Sequence, residues 1–273
     1  MIHFFPLFSD DPSNSPFARE LVKAGIAHRL FGKALSFHYK SRLGLVLLGW
    51  PRLIMFASHS AWRSLFRSRP HPDAVVLGSH FEVVIFGVAR LLLPRKTRPA
   101  IVYLGFIYTS RPSPYVRRLR QSYFGLVFRL TDRIICHSTN EVRQYGELFT
   151  TAKHKFRYVP YGLYVSGEEG HQLDISAARK TGLAYIFAAG RSGRDYSTLV
   201  KAVAINKILT HIVCDREAPL AGIVLPTHVE VLTNCYGDDY LKQLEDASLV
   251  VVPLLVDDIS AGQMVLNQAM AYR

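Results

Sequence analysis

Two short segments carry the residue types that hold phosphate. The first is Phe187-Ala188-Ala189-Gly190-Arg191-Ser192-Gly193-Arg194-Asp195-Tyr196. An apolar run enters a loop with two glycines and two arginines, and a helix can start at Asp195. Glycine lets a ligand approach the backbone closely, and guanidinium groups grip phosphate oxygens through paired donors. A tight turn with solvated arginines is the competing account. The spacing fits neither the dinucleotide fingerprint nor a Walker loop. The second segment runs from Val250-Val251-Val252-Pro253 through Asp257-Asp258-Ile259-Ser260-Ala261-Gly262-Gln263 to Val265-Leu266-Asn267-Gln268-Ala269-Met270-Ala271. An apolar β-branched run ending at proline reads as a buried parallel strand. A glycine-bearing polar loop follows, then a helix with Ser260 placed as its cap. Backbone N–H groups at such a helix start attract anions, which suits a diphosphate.

Elements that would position these segments alternate along the whole chain, strand then helix, so a parallel sheet flanked by helices is expected. Strands are read at 2–8, 74–78, 100–104, 133–137 and 156–162, with helices at 17–27, 41–67 (one or two, around Pro51), 81–93, 115–131 and 140–149. Ser166-Gly167-Glu168-Glu169-Gly170 has no periodicity and is the linker candidate. Beyond it the alternation restarts, with strands at 184–189, 209–214, 229–232 and 249–253 and helices at 195–205, 238–245 and the end. The reading is an α/β chain of two Rossmann-like, doubly wound domains facing a cleft. Residues 1–165 form the first, 166–180 the linker, and 181–273 an incomplete second domain. Ligands bind at the strand ends of such sheets.

The chain has 273 residues, 49% hydrophobic and 20% charged, which is enough for one large or two ordinary domains. Its net charge of +12 implies an acidic partner: nucleic acid, anionic lipid or a phosphorylated substrate. No recognition helix, RNA-binding signature or zinc knuckle is present, so nucleic acid is not expected. The three cysteines, Cys136, Cys214 and Cys235, match no metal-ligand spacing and read as reduced thiols of a cytosolic protein. The most apolar stretch, Leu43 to Ala57, is broken by Gly49, Pro51 and Arg52 and falls short of the ~20 residues a bilayer needs. The N-terminus lacks a signal peptide's positive region and cleavage site. A cytoplasmic protein follows.

Taken together, Gly190-Arg191, Val159-Pro160-Tyr161-Gly162, Asp246-Ala247-Ser248-Leu249-Val250-Val251-Val252-Pro253 and Gln268-Ala269-Met270-Ala271 resemble group-1 (family 4) glycosyltransferases of the GT-B fold. The resemblance covers the chain from about residue 130 onward; before that only the β/α order is similar. It implies transfer of a hexose from a UDP- or GDP-sugar to a glycan or lipid-linked acceptor in polysaccharide assembly, with retention and without a metal or other cofactor. Donors bind mainly the second domain and acceptors the first. Carried over by position, Gly190 and Arg191 meet the donor diphosphate, the loop Ser260-Ala261-Gly262-Gln263 approaches sugar and phosphate, and Gln268 lies near the ribose.

The chain also departs from that pattern. The family places two glutamates eight residues apart, where this chain has Ser260 and Gln268. Gln268 can still hydrogen-bond a ribose hydroxyl, but Ser260 supplies no carboxylate. The family's phosphate-binding lysine after the arginine is missing, with Arg194 the nearest substitute. The family also continues past Ala-Met-Ala. A divergent enzyme is the preferred account. A non-catalytic remnant or nucleotide-sugar-binding module, and an epimerase of the same fold, are the alternatives.

In the first half, the histidine that the family carries after its strand at 101–104 is replaced by Gly105-Phe106. The remaining candidates are His80, with Glu82 nearby, and Asp10 and Asp11 in the first βα loop. The first reads equally as a structural histidine and the aspartates as turn formers. The segment Tyr115 to Arg133 carries Arg117, Arg118, Arg120, Arg129 and Arg133 among Tyr123, Phe124, Leu126, Val127 and Phe128. It suits an anionic inner-membrane surface or, equally, a solvated basic face over core.

Overall fold

The computed structural model describes residues 1–5, 16–31, 49–109, 113–162, 184–215, 218–255 and 261–272. The chain divides into two compact units, Met1–Pro160 and Tyr161–Arg273. In the first, β1 (Ile2–Phe5), β2 (His28–Leu30), β3 (Ala74–Leu77), β4 (Ala100–Leu104), β5 (Arg133–Cys136) and β6 (Phe156–Tyr158) form a parallel sheet in the order β2-β1-β3-β4-β5-β6. Its described helices are α1 (Pro16–Lys23), α2 (Trp50–Trp62), α3 (His80–Leu91), α4 (Pro114–Arg129) and α5 (Thr139–Leu148). In the second, β7 (Ile186–Ala189), β8 (Thr210–Val213), β9 (Val229–Leu232) and β10 (Leu249–Val250) pair in parallel in the order β10-β7-β8-β9, with α6 (Tyr196–Ile205), α7 (Gly237–Glu245) and α8 (Gln263–Ala271).

Each sheet reverses its winding once. From β1 the chain adds β2 on one side and β3 on the other; from β7 it adds β8 and β9 on one side and β10 on the other. Crossovers then leave in opposite directions, which marks the carboxyl ends of β1 and β3, and of β7 and β10, as the places where sheets of this kind bind ligands.

Apolar residues at registered positions build the first core: Val75 opposes Ile101, Leu77 opposes Tyr103, and all four are buried. Phe106, just past β4, is its hub. Its ring lies 5.0–6.5 Å from those of Tyr103, Tyr108, Phe124, Phe128, Tyr145, Phe149 and Phe156. Truncating such a ring costs about 3–5 kcal/mol. Helices α3 and α5 start alike, with a serine cap and a buried glutamate three residues on, Ser79/Glu82 and Ser138/Glu141.

The structure corrects several sequence expectations. The run at 249–253 is not a buried strand: β10 is a two-residue edge strand with Leu249 exposed, because β7 covers one side only. Pro51 sits in the first turn of α2, where its missing N–H costs nothing, and residues 41–48 of the expected helical stretch lie outside the described residues. Basic α4 ends at Arg129, and Arg133 opens β5. Phe124, Val127 and Phe128 of that helix belong to the core, while Tyr115, Val116 and Leu119 are exposed beside Arg117 and Arg118. Strand β2 was not foreseen. The linker candidate at 166–170 and the first βα loop with Asp10 and Asp11 lie outside the described residues.

Candidate functional site

The two sequence-nominated loops leave the carboxyl ends of β7 and β10, the strands flanking the second sheet's reversal, and they are stitched together. Arg194 and Leu254 form an isolated antiparallel bridge. On either side, Asp195 N donates to Pro253 O at 3.0 Å and Leu255 N to Gly193 O at 2.9 Å. The first loop turns at Gly190, whose φ of +113° excludes ordinary side chains; a Cβ there would lie 2.5 Å from Arg194 Nη2. Gly262 in the second loop has φ +83°, and a Cβ there would lie 2.5 Å from Val252 Cγ1 and 3.6 Å from Arg194 Nη1. Gly190, Arg194 and Gly262 thus share one patch.

Asp195 caps α6, its carboxylate accepting from Thr198 N at 3.0 Å and Thr198 Oγ1 at 2.7 Å. The cap of α8 is Gly262, without a side-chain cap bond, and not Ser260 as expected. Left-handed backbone at this position suits glycine, and Ser260 itself lies outside the described residues. Gln263 is the first residue of α8 and half-buried. Gln268, one helical turn and a half further on, accepts from Tyr240 Oη at 3.0 Å, which leaves its amide N–H₂ to donate.

The two arginines are placed differently. Arg191 is half-exposed, and its Nη1 pairs with Asp215 Oδ2 at 3.0 Å. Arg194 is buried, with Nε on Ala189 O and Nη1 on Ser192 O, both at 2.9 Å. Tyr196 Oη donates to Gly190 O at 2.6 Å. Burial pushes the Tyr240 phenol up to about 12, with the charge of Arg194 working against that rise. Tyr196 is raised for the same leading reason. Asp215, Tyr196 and Tyr240 were missed in the sequence; the available signal was Asp215 directly after the apolar β8 run and Tyr196 at the head of α6.

In the first unit, His80 opens α3 at the carboxyl end of β3, beside that sheet's reversal. Its Nδ1 lies 2.8 Å from Tyr123 Oη, and its ring packs against Phe81, Tyr123 and Phe124. Burial, then the charge of Arg120, lowers its pKa, so the imidazole is neutral at pH 7. Arg120 itself donates to Thr109 O at 2.8 Å and sits 5.0 Å over the Tyr108 ring. Glu82 is 1% exposed, and burial raises its carboxyl to about 7 against hydrogen bonds from Ser79 and Gly78. A further histidine was overlooked: His137, at the end of β5, brings its Nε2 3.8 Å from where a Cβ on Gly105 would sit. Gly105 holds the position at which the family resemblance implies a histidine. Among the described residues, no group of three or more His, Cys, Asp or Glu is placed to hold a metal ion. Among them, too, no helix is long and apolar enough to cross a membrane.

No protein-family model and no curated protein sequence matches the chain. Solved structures do match in fold. The alpha,alpha-trehalose 6-phosphate synthase of Burkholderia multivorans superposes with a TM-score of 0.59 at 12% identity, over 100% of this chain and 80% of its own. The alpha,alpha-trehalose-phosphate synthase (UDP-forming) of Burkholderia vietnamiensis gives 0.60 at 12% identity over the same shares. These likenesses and the two parallel sheets give the chain the GT-B fold.

Proposed function

We propose that the protein is a glycosyltransferase that binds a nucleoside-diphosphate sugar at the carboxyl ends of β7 and β10. The observation that carries this reading is the convergence of two glycine-bearing loops at one sheet reversal, with Arg191 half-exposed on the first of them. The fold likeness supports it, since one neighbour is by its title a UDP-forming synthase. Gly190 and Gly262 shape the two loops around Arg194 and Val252, and the start of α8 turns its positive dipole end to the diphosphate. Arg191, oriented by Asp215, stabilises the departing phosphate oxygens as the bond from sugar C1 to the diphosphate breaks. Gln268, its carbonyl held by Tyr240, donates to a ribose hydroxyl.

The sugar is a hexose, transferred to a glycan or lipid-linked acceptor that meets the first unit near His80 and His137. In the retaining course, the acceptor oxygen bonds C1 on the face the diphosphate leaves, and the departing phosphate takes the acceptor's proton. No enzyme nucleophile or metal is required for that course. A membrane-bound acceptor is supported by the exposed start of α4, where Tyr115, Val116 and Leu119 stand beside Arg117 and Arg118.

Incubation of the full chain with a panel of UDP- and GDP-sugars tests the reading. Nucleotide release is expected with at least one donor. Arg191→Ala should lower it by about 10²–10³, the usual loss for one group acting on developing charge. A chain that binds and releases no nucleotide is not a glycosyltransferase. Conversion of the sugar without an acceptor would make it an epimerase.

A further inference from the structure

We propose that Arg194 is a positioning residue, a clamp that presets the loops after β7 and β10 through backbone carbonyls instead of gripping the ligand. The proposal rests on the nucleotide-sugar reading only for its consequence in binding; the clamp itself is a property of the free protein.

The side chain of Arg194 folds back on its own loop. Nε reaches Ala189 O, at the end of β7, and Nη1 reaches Ser192 O, so one planar group ties the strand end to the tip of the loop. The backbone of the same residue holds the other loop, through its bridge to Leu254. The flanking hydrogen bonds, Asp195 N to Pro253 O and Leu255 N to Gly193 O, extend that seam. One residue therefore joins the strand end, the first loop and the second loop.

The guanidinium occupies the volume that a side chain at Gly190 would need and lies at contact distance from the corresponding position at Gly262, which Val252 blocks. Its Nη2 lies 2.5 Å from a Cβ at Gly190, and its Nη1 lies 3.6 Å from a Cβ at Gly262. The contact with Gly262 puts the clamp under the start of α8. Two phenols border the same charge, which counters the rise of both with burial. Tyr196 holds Gly190 O and Tyr240 holds the Gln268 amide. Gly190 and Gly262, on the two loops proposed to meet the donor, thus border one buried cation. Arg191 differs: it is half-exposed and pairs with a carboxylate that an anion can replace.

Lysine distinguishes a clamp from a ligand. An ammonium still attracts phosphate as a point charge, but it lacks the planar fork that spans Ala189 O and Ser192 O. The experiment compares wild type, Arg194→Lys and Arg194→Met as full chains. Amide exchange is followed without ligand, and UDP binding by calorimetry. In the wild type, the amides of Asp195 and Leu255 should exchange together, since one seam closes over both. In both variants their protection should fall by about tenfold, the equivalent of a lost hydrogen-bond pair, while β8 keeps its protection. UDP affinity should fall to the same degree in both. Unlinked exchange in the wild type, unchanged protection in the variants, or a lysine variant that binds UDP as the wild type does would each overturn the clamp. A wild type that binds no UDP would sink the nucleotide reading, and the exchange arm would still decide the clamp.

Discussion

Replacing Glu82 with glutamine should make the protein more stable at pH 8 than at pH 5, relative to the wild type. The carboxyl is 1% exposed, and its Oε2 has no hydrogen-bond partner among the described residues. Burial raises its pKa from 4.5 to about 7, against the hydrogen bonds of Ser79 and Gly78. Because the folded pKa lies above the unfolded one, the folded state holds the proton more tightly. Stability therefore falls as pH rises from about 4.5 through about 7, then levels off. Integrating that shift gives a penalty on the order of 1 kcal/mol at pH 5 and about 3 kcal/mol at pH 8.

Glutamine keeps an acceptor for the capping box and removes the charge. Its amide N–H₂ inherits the unpartnered position, at a cost of about 1–2 kcal/mol that does not vary with pH. The variant should then be near neutral or slightly worse at pH 5 and better by about 1–2 kcal/mol at pH 8. Urea titrations of both proteins at half-unit steps from pH 5 to 8 measure the difference directly. A gap between wild type and variant that stays constant across this range would refute the reasoning.

The other predictions concern the glycine loop and the membrane. Gly190→Ala places a Cβ 2.5 Å from the Arg194 guanidinium at a φ of +113°, so it should destabilise the second unit by about 1–3 kcal/mol and abolish UDP binding, checked by thermal unfolding and calorimetry. Reversing Arg117 and Arg118 to glutamate should release the protein from anionic vesicles at ~0.15 M salt, each arginine near the surface contributing about 1 kcal/mol. Arg120 stays in place in that test because it anchors Thr109 O and covers Tyr108. Equal flotation of wild type with anionic and neutral vesicles would reduce α4 to a solvated basic face.

Periodicity and turn chemistry made most of the architecture readable. Runs such as Ala74–Leu77 and Ala100–Leu104 are apolar because one face of each strand is buried and the other partly covered, and Asp195 marks a helix start by its own side chain. Strand β2 escaped because His28-Arg29-Leu30 is a three-residue edge with no pattern to read. The β10 run looked buried because its residues are β-branched; only the strand order reveals that one side is open. The second cap escaped for a different reason. Ser260 has the better capping side chain, but Gly262 tolerates the left-handed backbone at which α8 begins.

The limits at the site follow from the same distinction between local and long-range information. Glycine and arginine spacing located both loops, because backbone access and charge are properties of the residues themselves. What each arginine does depends on partners set by the sheet. Arg191 finds Asp215 at the end of β8, the strand paired with β7, whereas Arg194 finds carbonyls of its own loop under a seam made with β10. Two arginines three positions apart thus separate into an exposed charge that a ligand can meet and a buried one that shapes the loops. Glu82 illustrates the converse. The Ser-x-x-Glu spacing of a capping box was present at 79–82 and again at 138–141, and it accounts for a buried carboxylate that burial alone would nominate as catalytic. His80, two residues earlier on the same helix, has no such local account: its partner is Tyr123 on α4, and its neutral ring stands at the sheet's reversal, which is why it is retained as a candidate and Glu82 is not.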